Sequence, residues 1–120
     1  SFHYLGGDDT LLVFEAPIDL LSYISLFPEG WQAHNYVACC GTSSIPVLEM
    51  LRQLPQLRQV YLCLDNDAAG HAASERMAAL LEEHDLNAVR LVPQQKDWND
   101  DLKAEQENNM ERSELCQTFC

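Results

Sequence analysis

Short apolar runs alternate with helix-like stretches along most of the chain. Four of these runs are predicted to be buried strands, because almost every position in them is apolar: residues 11–15, 35–40, 59–64 and 88–92. Apolar residues at helical spacing follow the first three runs, and a fourth helix, opened by residues 96–100, is predicted to run to about Glu107. Strands that alternate with helices are typical of βαβ units, so we predict an α/β domain with a mainly parallel sheet.

Local signals place the predicted helices more closely. Pro17 suits a first helical turn, and Ile18, Leu21 and Ile24 continue at helical spacing until the turn signal at residues 28–30. Small polar residues at 42–44 precede the second helix. The third helix, residues 68–84, is expected to turn one apolar face toward the sheet, formed by Ala72, Ala73, Met77, Leu80 and Leu81.

The strand order follows from where the acidic residues stand. Glu15 ends the first predicted strand, and Asp65 and Asp67 follow the third. Strands that are apolar throughout need helices on both faces, and right-handed crossovers then restrict the topology. If the first and third strands are neighbours, the four-stranded sheet has the order 2-1-3-4 in a three-layer, Rossmann-like fold. Ligands bind such sheets where the winding reverses, which is between these two strands.

Three carboxylates are therefore predicted to meet at one edge of the sheet: those of Glu15, Asp65 and Asp67. Anionic oxygens at close range repel one another unless a cation lies among them. Hard oxygen ligands favour Mg²⁺ or Mn²⁺, the ions that accompany phosphoryl chemistry. On the residues alone a second interpretation stays open, in which Asp65 and Asp67 form only a turn and a helix N-cap.

Charge and composition limit the partners. The 120 residues carry 19 acidic and 7 basic side chains, a net charge of −12. A domain that holds duplex DNA by itself needs a basic face, so we expect any such face to lie in other parts of a longer protein. No apolar stretch is long enough to span a membrane. Five cysteines without a CxxC pair predict a cytoplasmic protein, and Cys116 and Cys120 are not expected to bind a metal.

Four short motifs, taken in order, resemble those of the TOPRIM domain. Three contain acidic residues: EAPID at residues 15–19, DNDAAG at 65–70 and KDWN at 96–99. The other motif, second in chain order, is Gly41-Thr42, after the second predicted strand. Bacterial primases, topoisomerases, OLD-family nucleases and recombination proteins share this domain. The resemblance is strongest to the primase-like branch found in plasmid and transposon proteins, and it spans residues 11–102. Ala16 stands where a glycine commonly follows the glutamate.

The resemblance implies roles for the residues of the first and third motifs. It makes Glu15 a general acid/base or a metal ligand, and it makes Asp65 and Asp67 ligands of Mg²⁺. A cation held in this way polarises a phosphate and stabilises the charge that develops during transfer. Asp19, one helical turn beyond Glu15, is expected to form a hydrogen bond to a metal-bound water or to orient one of the ligands. As an alternative, Asp19 only supplies a favourable acid in a first helical turn.

The last motif opens the fourth predicted helix. In primase relatives an acidic pair here contributes to a second metal or to phosphate handling, and Asp97 matches the first acid. Asn99 replaces the second acid with a neutral oxygen, which weakens the case for a second ion. Lys96 is a candidate for neutralising a phosphate or the carboxylates, with a solvated lysine as the alternative. Trp98 is expected to be a packing anchor.

These inferences predict a TOPRIM domain over residues 1–107 and a polar tail or linker over 108–120, as a piece of a longer protein. We expect Mg²⁺-dependent phosphoryl or nucleotidyl transfer in a primase-like replication or mobilisation protein, with DNA and nucleotides contacted through flanking domains. A TOPRIM nuclease or nicking module and a non-catalytic docking domain remain alternatives. Haloacid-dehalogenase-like phosphatases and response-regulator receivers fit less well, since Glu15 stands where the former carry their nucleophilic aspartate.

Overall fold

A five-stranded sheet with helices on both faces forms the chain's framework. The structure is a computed structural model that describes residues 2–119, except for the side chains of Cys116, Thr118 and Phe119. The strands are β1 (Phe2–Leu5), β2 (Thr10–Phe14), β3 (Asn35–Ala38), β4 (Gln59–Leu62) and β5 (Asn87–Arg90). The helices are α1 (Pro17–Leu26), α2 (Ile45–Gln53), α3 (Ala68–Glu83) and α4 (Trp98–Phe119), with a 3₁₀ turn at Trp31–Ala33.

The strands are arranged in the order β1-β3-β2-β4-β5. β2 lies parallel to both β3 and β4, and β5 lies parallel to β4. The predicted α/β class and the predicted order of the four parallel strands are therefore confirmed. β1 adds an antiparallel edge beside β3 that the sequence did not predict. All four residues of β1 are exposed, and its apolar residues Phe2, Tyr4 and Leu5 are separated by His3, so it does not form a buried run like the other strands.

Each face of the sheet has its own apolar core. On one face, α2 and α3 cover the sheet through Val47, Met50, Met77 and Leu81. On the other face, α1 and the start of α4 cover it through Leu20 and Trp98. This three-layer arrangement explains why the strand residues are apolar at successive positions: side chains that point to either face are buried.

Two helices turn a different face inward from the one that their spacing suggests. In α1 the buried residues are Asp19, Leu20 and Ser22, whereas Ile18 and Leu21 are 54% and 49% exposed. The face of α1 that meets the sheet thus carries polar groups. This face also borders the acidic edge, which is the edge of the sheet where Glu15 and Asp65 follow β2 and β4.

In α3 the prediction was right for Ala73, Met77 and Leu81, which are buried. It was wrong for Ala72, which is exposed, while Leu80 is only half-buried. An alanine-rich stretch offers little contrast between its faces, so the inward face is set by the larger side chains.

Helix α4 continues to Phe119, beyond the predicted end near Glu107. Residues 105–115 are exposed, so this part of the helix extends away from the sheet. The segment contains neither glycine nor proline after its start, and nothing in it interrupts the helical hydrogen bonds. Within residues 2–119, no helix combines the length and the apolar character needed to cross a membrane.

Candidate metal centre

The acidic residues of three loops meet at one edge of the sheet. Glu15 directly follows β2, Asp65 lies between β4 and α3, and Asp97 directly precedes α4. Asp19 comes from the first turn of α1. One carboxylate oxygen from each of Asp19, Asp65 and Asp97 lies within 4.8 Å of the other two. The parallel strands β2 and β4 bring Glu15 and Asp65 to this edge, because their carboxyl ends lie together. Asp19 and Asp97 are added by the starts of α1 and α4.

Asp65 lies at the centre of this group. Its Oδ1 atom is buried and has no hydrogen-bond partner among the described residues. The Glu15 carboxyl lies beside it, and the pKa of Glu15 is raised to about 7. Burial is the largest cause, followed by the hydrogen bond with Asp65 and by the negative charges of Asp65 and Asp67. A carboxyl group in this position gains from a shared proton or from a cation.

Asp19 is a buried carboxylate, only 3% exposed. Its Oδ1 accepts a hydrogen bond from the Asn99 backbone N–H at 3.2 Å. Burial raises the pKa of Asp19 to about 6, and repulsion from Asp97 and Asp65 adds to the effect while the Asn99 hydrogen bond opposes it. The sequence predicted that Asp19 orients a ligand or a water. In the structure one of its oxygens lies within 4.8 Å of oxygens of Asp65 and Asp97, so Asp19 is itself placed to bind a cation.

Asp67 and Asp97 also cap helices. The Asp67 Oδ1 accepts from the Gly70 N–H at 2.7 Å, and the Asp97 Oδ1 accepts from the Asp100 N–H at 2.8 Å. These bonds satisfy N-terminal N–H groups of α3 and α4. Each carboxylate keeps a second oxygen, so capping does not prevent ligation. The three-oxygen group contains Asp97 but not Asp67, and the predicted ligand set of Glu15, Asp65 and Asp67 stays a prediction.

Backbone contacts hold the loop between β4 and α3 against its neighbours. The Asn66 N–H donates to the Lys96 carbonyl at 2.7 Å, and its side-chain amide donates to the Pro93 carbonyl at 3.1 Å. A Cβ atom at Gly70 would collide with the carbonyl oxygen of Asp65. Only glycine therefore permits this close approach of α3 to the loop.

The other predicted residues frame the site. Gly41 donates its N–H to the Glu15 carbonyl at 3.0 Å, which ties the β3–α2 loop to the same edge. Trp98 is buried and donates from Nε1 to the Cys63 carbonyl at 2.9 Å, as expected for a packing anchor. The Asn99 amide oxygen accepts from the Ser22 hydroxyl at 3.3 Å.

Four further residues bear on the predictions. Lys96 is exposed, and its role stays a prediction. The side chains of Cys116 and Cys120 lie outside the described part of the chain. Sequence reasoning missed Arg90, whose charge lies close to Glu15, Asp65 and Asp67. The available signal was a single cation in the otherwise largely apolar run at residues 88–92.

The donor set fits a hard divalent cation. Asp19, Asp65 and Asp97 each offer a carboxylate oxygen, and Asp65 has a buried oxygen without a hydrogen-bond partner among the described residues. The pKa values of Asp19 and of the neighbouring Glu15 are raised. Carboxylates are the ligands that Mg²⁺ and Mn²⁺ prefer.

This sheet, with acids gathered at the carboxyl ends of its parallel strands, defines a class of protein. The chain belongs to the Toprim-like family, whose model matches residues 12–102. The resemblance to the TOPRIM domain is thus confirmed.

The relatives include phage and plasmid proteins. The chain is 29% identical to the uncharacterized protein pXO2-78 of Bacillus anthracis, over 86% of this chain and 35% of that protein. It is similar to the crystal structure of the primase fragment of the bacteriophage T7 primase-helicase protein, with 25% identity and a TM-score of 0.59. That match covers 88% of this chain and 44% of the fragment.

A second solved structure shares the fold. It contains T7 primase domains bound to an RNA/DNA hybrid and dTTP together with the lagging-strand DNA polymerase. The match has a TM-score of 0.62 and 24% identity, over 88% of this chain and 54% of the other. The chain therefore spans about half or less of the length of the relatives that it matches.

Proposed function

We propose that this domain is a Mg²⁺- or Mn²⁺-dependent module for phosphoryl or nucleotidyl transfer on nucleic acid, within a primase-like replication or mobilisation protein. Two features support the proposal: the acids that meet at one sheet edge, and the likeness to the T7 primase fragment. The observation that carries it concerns Asp65, which lies among further carboxylates and has one buried oxygen without a hydrogen-bond partner in the described part of the chain. A protein gains nothing in stability from such an arrangement unless something neutralises it.

The residues divide the chemistry among them. Asp19, Asp65 and Asp97 would hold the cation, with Asp67 available through its second oxygen. The bound ion would polarise a phosphate and stabilise the charge that develops in transfer. Glu15 is the proposed general acid/base, because its carboxyl lies beside Asp65 and the three-oxygen group does not include it, which leaves it available for proton transfer.

The nucleic acid would be held mainly outside this domain. A net charge of −12 repels a phosphate backbone, so the basic surface belongs to flanking parts of a longer chain. DNA and nucleotides are therefore proposed as partners of that longer protein. The isolated domain is proposed to bind the metal but not to synthesise primers.

A titration with Mn²⁺ tests the metal site directly. We expect the wild type to bind Mn²⁺ with a dissociation constant of about a millimolar or tighter, and Asp65→Asn to abolish that binding. Glu82→Gln is the matched control: it removes one negative charge from an exposed position at the far end of α3. Equal binding by wild type and Asp65→Asn would contradict the proposal.

The reaction is tested in the full-length protein. Primer synthesis on a single-stranded template that requires Mg²⁺ and Asp65 would support the primase-like function. Metal-dependent cleavage of plasmid DNA without primer synthesis would assign the same site to a nuclease. If the metal binds and neither activity is found, the domain has a docking role.

A further inference from the structure

Arg90, the last residue of β5, reaches across the end of β4 and contacts its backbone. The guanidinium Nη1 donates to the carbonyl oxygens of Leu64 at 2.6 Å, Leu91 at 3.2 Å and Leu62 at 3.3 Å. Its Nη2 donates to the carbonyl oxygen of Asp65 at 2.8 Å. One side chain thus binds the carbonyls of Leu62, Leu64 and Asp65. These carbonyls lie along the segment that leads from β4 into the acidic loop, residues 63–67, which carries Asp65 and Asp67.

The carbonyls of Leu64 and Asp65 need a side-chain donor, because they lie beyond the last paired residues of β4 and β5. The last bond between β4 and β5 runs from the Leu91 N–H to the Leu62 carbonyl at 3.0 Å. Beyond it the two segments separate, and within residues 2–119 no strand pairs with Leu64 or Asp65. Leu64 is fully buried, so water does not replace the missing strand. The planar, five-donor guanidinium fits this task better than the compact ammonium of a lysine.

The same guanidinium is enclosed from the other side. His71, in the first turns of α3, places its Nδ1 atom 3.3 Å from the Arg90 Nη2. The carboxylates of Glu15, Asp65 and Asp67 supply the negative charge around it. Within the hydrogen bonds of the described residues, Arg90 binds the Asp65 carbonyl and none of these carboxylates. Arg90 therefore contacts the backbone of Asp65 and does not occupy its side-chain oxygens.

We propose that Arg90 is a positioning residue that holds Asp65 in the orientation in which it binds a divalent cation, an inference that rests on the proposed function of the acidic edge. The alternative is a purely electrostatic role. The two have opposite consequences, because a positive charge beside a cation site weakens cation binding. Removal of the charge alone would tighten Mn²⁺ binding, whereas loss of the backbone contacts would weaken it.

Mn²⁺ titrations of two variants separate these roles. Arg90→Lys keeps the charge and loses the fork of donors, and Arg90→Gln loses both. We expect each to weaken Mn²⁺ binding by about 10- to 100-fold, as for other residues that orient a metal ligand. Arg58→Gln is the control for net charge, since Arg58 is exposed and precedes β4 at the opposite end of the strand. Unchanged binding by Arg90→Lys, or tighter binding by Arg90→Gln, would overturn the proposal.

Hydrogen exchange in metal-free protein gives a second readout that does not depend on the proposed function. We expect Arg90→Lys to accelerate exchange of the Asn66 and Gly70 amides, which donate to the Lys96 carbonyl and to the Asp67 carboxylate, more than exchange of the α2 amides. Uniform acceleration, no acceleration, or loss of the folded state in both variants would overturn a positioning role. If the wild type binds no Mn²⁺, the proposed function fails, and the exchange data alone decide whether Arg90 positions Asp65.

Discussion

Asp19 shows how a single residue can lower stability for the sake of a site. Its carboxylate is almost completely buried, faces the negative charges of Asp65 and Asp97, and has one backbone N–H to compensate. Burial of a charge costs free energy unless an opposite charge lies beside it. The helical pattern of α1 did not predict a buried acid, because the pattern reports apolar positions and not what the neighbouring loops carry.

Asp19→Asn should therefore stabilise the metal-free domain. At pH 7 the neutral amide still accepts the Asn99 N–H and removes the repulsion, so the free energy of unfolding should rise by on the order of 1 kcal/mol. Mn²⁺ affinity should fall about tenfold or more, because one oxygen ligand loses its charge. Denaturant unfolding and Mn²⁺ titration measure the two effects. Glu82→Gln serves as the control, and a loss of stability in Asp19→Asn would contradict this account.

At the scale of the elements, helices α3 and α4 contribute to the acidic edge through their N-termini. α3 and α4 both begin with an aspartate whose side chain accepts a backbone N–H of the first turn. The residues that border the acidic edge thus also define where these helices start. Such a dual use explains why the sequence left two interpretations open for Asp67: the capping role is now observed, and its part in metal binding stays a prediction.

Two substitutions at Asp67 separate these roles. Asp67→Ala removes the cap of α3 and should lower the free energy of unfolding by about 1 kcal/mol. Asp67→Asn keeps an oxygen that can accept the Gly70 N–H, so its stability should stay close to that of the wild type. Mn²⁺ titration of the stable Asp67→Asn variant then reports on ligation alone. Equal destabilisation by both variants would show that the charge, and not the cap, stabilises α3.

At the scale of the whole molecule, the two cores differ in chemistry. The face covered by α2 and α3 is almost entirely aliphatic, whereas the face covered by α1 and α4 contains aromatic residues. Tyr23 packs edge-on against Trp98 with ring centroids 4.9 Å apart. Tyr36 is 1% exposed, and its hydroxyl donates to the Trp31 carbonyl at 2.8 Å. Buried phenols make this core sensitive to alkaline pH.

Stability should fall at high pH for this reason. Burial raises the pKa of both Tyr23 and Tyr36 to about 12, from an ordinary value of 10.0. The unfolded chain releases these protons first, so the stabilisation is complete below about pH 10 and is lost as the pH rises toward 12. Denaturant unfolding at a series of pH values from 8 to about 11.5 measures the slope. Tyr23→Phe should flatten it, and an unchanged slope would contradict this assignment.

The sequence by itself determined the α/β class, the order of the four parallel strands, and the meeting of Glu15 with Asp65. It could do so because these features depend on local patterns: apolar runs, turn residues, and acids that directly follow strands. Parallel strands bring their carboxyl ends to one edge, so sequence position alone was enough to place these two acids together.

Only the tertiary structure decided which further groups join them. The sequence had named Asp19 and Asp97 as site residues, but the approach of their oxygens to Asp65 depends on the packing of α1 against α4, and no local pattern records that contact. β1 forms because the edge of β3 was free, although its own residues stay exposed. Arg90 acts through carbonyls that are distant from it in sequence, and the need for a donor arises only where the sheet ends.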